Sequence, residues 1–91
     1  MSEYIDRGLE IRELSKSLVT HFMHSSPECS SNSVGLKTSE IFRGCGFDWG
    51  EKESATSSSQ QSWFVALLRD LEELEIIERS SESKHWRLKN L

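Results

Sequence analysis

Trp63, Phe64, Leu67, Leu68, Leu71 and Leu74 return at steps of one, three and four residues. That spacing gathers them on one side of an α-helix, predicted from about Ser58 to Glu75. A face so wide and so apolar is not stable in water on its own. It has to be covered, so the rest of the chain is read for what can cover it.

The first candidate is a helix from about Glu3 to His24. Ile11, Leu14, Leu18, Val19 and Phe22 fall at helical spacing and are expected to form one apolar stripe, with Glu10, Arg12, Glu13, Lys16 and Ser17 on the other faces. Gly8 weakens the first turns. Ser25-Ser26-Pro27 stops the helix, because Pro27 disfavours helical dihedrals at Ser26. A polar loop over 25–33 leads to Val34-Gly35-Leu36, a minimal strand. Thr38 is then expected to cap a short second helix, with Glu40 near its positive end. Ile41 and Phe42 would bury, Gly44 and Gly46 would end the helix, and Phe47 and Trp49 would anchor the returning chain. A Ser-rich loop over 48–59 precedes the long amphipathic helix. After it, Ile76-Ile77-Glu78-Arg79 and Lys84-His85-Trp86-Arg87-Leu88 flank the polar turn Ser80 to Ser83. This predicts a hairpin with Ile77, Trp86 and Leu88 facing inward.

Ninety-one residues is the length of a single domain, so residues 1–91 are read as one. Hydrophobic residues make up 35% and charged residues 29%, with three Trp and four Phe, which is enough for one modest core. The acidic start Met1-Ser2-Glu3 has no signal-peptide pattern, and nowhere is there a spanning apolar run. Two distant cysteines, Cys29 and Cys45, do not make a disulfide scaffold, so a reducing cytoplasm is the expected compartment. The net charge of -4 weighs against simple nucleic-acid binding. Its distribution is uneven: residues 54–68 carry no charge, while Lys84, His85, Arg87 and Lys89 share a tail without carboxylates.

The order helix, short strand, short helix, long helix, hairpin resembles a winged helix-turn-helix domain. The residues that carry the resemblance are Leu67-Leu68-Arg69-Asp70-Leu71-Glu72-Glu73-Leu74-Glu75-Ile76-Ile77-Glu78-Arg79, then Trp86-Arg87-Leu88, with Leu36-Lys37-Thr38-Ser39-Glu40-Ile41-Phe42 similar to the usual start of the second helix. It covers roughly residues 9–89. Two features depart from the pattern. Glu75 stands where a glycine is common, and the link between second and third helices is longer than a helix-turn-helix turn. The resemblance implies an α+β fold of three helices and a C-terminal two-stranded hairpin, with Val34-Gly35-Leu36 as a short third strand. It also implies a transcriptional regulator that reads double-stranded DNA. Ser58, Ser59, Gln60, Gln61 and Ser62 would enter the major groove, and Arg79, Lys84 and Arg87 would lie along the wing.

Three other readings stand beside it. Winged helices also serve as interaction or dimerisation modules, and a homodimer through the first helix is expected from its broad apolar surface. The acidic run Asp70, Glu72, Glu73, Glu75 and Glu78 suits a basic partner or a solvated face. His21, His24, Cys29 and Cys45 have zinc-ligand chemistry but match no zinc spacing, so no metal and no cofactor are expected. Gly44-Cys45-Gly46 lacks the spacing and the lysine of a phosphate loop, and no nucleophile motif appears, so no enzyme is expected.

Overall fold

The computed structural model describes residues 2–47 and 58–89, with the backbone alone for 58–61. Trp49 and the loop over 48–57 lie outside the described residues. The chain folds as an α+β domain. Its elements are α1 (Glu3–Ser25), a single 3₁₀ turn (Pro27–Cys29), α2 (Thr38–Gly44), α3 (Ser58–Glu73), β1 (Ile77–Arg79) and β2 (Trp86–Leu88). The strands pair antiparallel in the register Ile77 with Leu88, Glu78 with Arg87, and Arg79 with Trp86. Leu36 adds a bridge to Trp86, so the expected third strand is a single residue wide. This is the layout of a small winged helix.

Helix ends follow the local chemistry. Ser2 caps α1 by accepting from the Tyr4 N–H at 3.0 Å. Ser26, extended before Pro27, ends it. At the end of α2, Gly46 takes φ 77. The Gly46 N–H then bonds the Arg43 carbonyl and the Phe47 N–H bonds the Phe42 carbonyl, each over the helix's last turn. The same closure ends α3, with Glu75 at φ 64 in the place glycine usually takes. There the Glu75 N–H bonds the Glu72 carbonyl and the Ile76 N–H bonds the Leu71 carbonyl.

The expected cap of α2 is corrected. Lys37 is the capping residue, and its N–H is held by the Glu40 carboxylate at 2.8 Å. Thr38 is the first helical residue. Its hydroxyl accepts the indole N–H of Trp86 at 3.0 Å. A long-range bond to a buried ring therefore occupies the oxygen that a local cap would have used.

The core joins all the elements: Val19 and Met23 from α1; Cys29 from the 3₁₀ turn; Ile41 and Phe42 from α2; Phe64, Leu67, Leu68 and Leu71 from α3; then Ile77 and Trp86 from the hairpin. Gly35 at φ 86 lets the chain pass against β2, where a Cβ would run into the Trp86 carbonyl. The apolar stripe of α1 is buried only at its C-terminal end. Ile11, Leu14 and Leu18 are 63%, 70% and 43% exposed. Every residue from Glu3 to Leu14 is exposed, because the described core reaches α1 only from Val19 onward. Likewise Trp63 and Leu74, which share the apolar face of α3 in sequence, sit at its edge and are 46% and 60% exposed.

Candidate nucleic-acid interface

The predicted DNA contacts divide into three groups. Ser58, Ser59, Gln60 and Gln61 form the first turn of α3, and their side chains lie outside the described residues. Ser62 follows on the same helix with an exposed side chain. Arg79, Lys84 and Arg87 belong to the hairpin.

Within the hairpin the three cations have different surroundings. Arg87 is drawn inward. Its Nε donates to Glu78 Oε2 at 2.7 Å and its Nη1 to the Ser33 carbonyl at 3.1 Å, with about a third of each side chain exposed. Arg79 and Lys84 are exposed. The Arg79 Nε donates to the Lys84 carbonyl at 2.9 Å, which ties strand to turn. Lys84 itself takes φ 64, and its N–H closes the turn on the Ser80 carbonyl. Lys89 pairs with Glu75 at 3.3 Å.

Arg69 joins this group although sequence reasoning passed over it. Its guanidinium lies 5.4 Å from the centroid of the Trp86 ring, and that of Arg79 lies 5.2 Å from the same ring. The indole thus brings one cation from α3 beside one from β1. Arg69 also meets Glu72 at 3.0 Å. The sequence did hold a signal for it: Arg69 lies seven residues after Ser62, two turns along the same helical face. The result is a patch of Arg69, Arg79 and Lys84 at the junction of helix and hairpin, next to the exposed Ser62 and Val65. The acids collect toward the α3 C-terminus, where Glu72, Glu75 and Glu78 take Arg69, Lys89 and Arg87 as partners.

Away from this interface, Tyr4, Ile11, Leu14 and Leu18 line one side of α1, all more than two-fifths exposed. Lys16 reaches across to Asp70 at 3.4 Å and to Glu13 at 3.2 Å. These two carboxylates, Glu13 first, raise the pKa of its ammonium. Burial raises the thiols of Cys29 and Cys45 to about 11, which keeps them protonated and unreactive at neutral pH. Among the described residues, no three His, Cys, Asp or Glu side chains converge as metal ligands. No described helix is long and apolar enough to cross a membrane.

Fold and patch together define a small α+β domain of winged-helix-like layout, with Arg69, Arg79 and Lys84 at the junction of α3 and the hairpin. Neither a protein-family model, nor a curated protein, nor a solved structure matches the chain.

Proposed function

We propose that this chain is a DNA-binding winged-helix module of the transcription-regulator class. It would present the start of α3 to the major groove and set Arg69, Arg79 and Lys84 on the phosphate backbone. One observation carries the reading: the convergence of Arg69 and Arg79 on the Trp86 ring. In a chain of net charge -4, it joins recognition helix and wing in a single basic patch. The test is fluorescence anisotropy with a mixed-sequence duplex at low salt. The wild type is expected to bind with Kd of about 10⁻⁴ to 10⁻⁶ M, the range of non-specific contacts. The pair Arg79→Ala and Lys84→Ala is expected to weaken it several-fold. No binding by the wild type in that range overturns the proposal.

A second reading concerns assembly, and the bare first half of α1 favours it. A helical segment of this length with Gly8 inside it is marginal when nothing packs on it. A second copy laid along Tyr4, Ile11, Leu14 and Leu18 would supply the missing cover. Sedimentation velocity is expected to show a dimer that Leu14→Glu converts to monomer. A wild type that stays monomeric at high micromolar concentration removes this reading.

A further inference from the structure

Between the exposed half of α1 and the middle of α3 the domain leaves a groove of about 350 Å³. Its volume falls within the roughly 300–1,000 Å³ of small-molecule sites. Trp63 forms one wall. The residue is 46% exposed. The ring is fixed by edge contacts to Phe47 at 5.1 Å, Phe64 at 5.7 Å and Phe42 at 6.0 Å. Ile11, Ala66 and Leu67 complete an apolar lining. This gives a preformed flat surface suited to an aromatic ring.

Two charged residues border that lining, Arg12 and Asp70. They differ in what neutralises them. Asp70 already holds Lys16 at 3.4 Å. Among the described residues, no carboxylate lies within ion-pair distance of the Arg12 guanidinium. Lys16 is itself shared between Asp70 and Glu13, so among the described residues Arg12 is the charged lining residue that has no ion-pair partner. The backbone opposite Trp63 is that of Gly8, where an added Cβ would meet no atom within 4 Å. That leaves open space on the α1 side.

We propose that this groove binds a small aromatic anion, with its ring laid against Trp63 and its carboxylate or sulfonate on Arg12. The site is independent of DNA binding, and its test does not involve DNA. The probe is 2-naphthoate, compared with the uncharged 2-naphthamide, titrated into ¹⁵N-labelled protein. Saturable shifts are expected at the Ser15 and Ala66 amides and the Trp63 indole N–H. Naphthoate is expected to bind about tenfold tighter than the amide, the worth of one charge-assisted contact at a partly open site. Arg12→Gln should erase that preference while leaving amide binding unchanged. Gly8→Leu should abolish both by filling the groove, with the rest of the spectrum intact. Absence of saturable shifts at millimolar naphthoate overturns the proposal, as does equal affinity of the wild type for the two probes. Shifts of the same groove signals on simple dilution of the protein would identify a second copy as the occupant, and also overturn it.

Discussion

Trp86 shows how much one side chain does in a domain this small. It is 1% exposed and joins β2 to the core. Its ring receives Arg69 and Arg79, its backbone bridges Leu36, and its indole N–H ends on Thr38. A buried N–H without an acceptor costs about 1–3 kcal/mol. Thr38→Val keeps the shape and removes the acceptor. It is expected to destabilise by that amount and lower the thermal midpoint by several degrees, each kcal/mol being worth about 4–8 °C at this size. Thr38→Ser, which keeps a hydroxyl, should lie close to the wild type. Equal midpoints for the valine and serine variants would show that the bond carries no stability. The sequence made Trp86 legible as a core residue through its alternation with Arg87 and Leu88. It did not make the Thr38 bond legible. A threonine before a helix has a local reason to be there, and the partner that claims it is 48 residues away. The spacing of Arg69 from Ser62 put it on the predicted contact face, but its place beside the hairpin exists only after α3 and the hairpin have docked.

At the scale of elements, the helix ends were the most readable feature and their chemistry the least expected. α3 closes with the left-handed residue that winged helices usually give to glycine, here Glu75 at φ 64. For a residue with a Cβ that conformation costs about 1–2 kcal/mol. The exposed pair with Lys89 returns little of this. Glu75→Gly is therefore expected to stabilise the domain by up to about 1 kcal/mol, seen as a higher urea midpoint at unchanged slope. Glu75→Ala, which keeps the strain and loses the pair, should not stabilise. If glycine proves no better than alanine, the closure is not strained. The period of the apolar residues placed α1 and α3 almost to the residue. It did not say how much of each stripe a domain of 91 residues can cover. Ile11 and Leu14 carry the same periodic signal as Val19, yet the core ends before reaching them. Periodicity reports which face is apolar, not whether the neighbour that buries it belongs to the same chain.

For the molecule as a whole, the DNA-binding proposal turns on how an acidic domain would hold a duplex. The answer would lie in how the charges are apportioned along the hairpin. Arg79 and Lys84 face solvent, whereas Arg87 is neutralised by Glu78 at 2.7 Å. Each cation that reaches a phosphate releases condensed counterions and adds about 0.9 to the slope of log affinity against log salt. Removing Glu78 should therefore act opposite to removing a cation. Glu78→Gln changes the net charge from -4 to -3 and releases one hold on Arg87. The remaining bond to the Ser33 carbonyl keeps the side chain close to the wing. The variant is expected to bind duplex DNA more tightly at low salt than the wild type, with the salt slope steeper by about one contact. Arg79→Ala should bind more weakly, with the slope shallower by a similar amount. The ion pair is partly exposed and worth at most about 1 kcal/mol, so both variants should stay folded, which far-UV circular dichroism checks. Anisotropy titrations at several salt concentrations read affinity and slope together. Opposite shifts in the two variants would place the wing on the backbone. Identical slopes in the wild type and both variants would mean that the hairpin never meets phosphate.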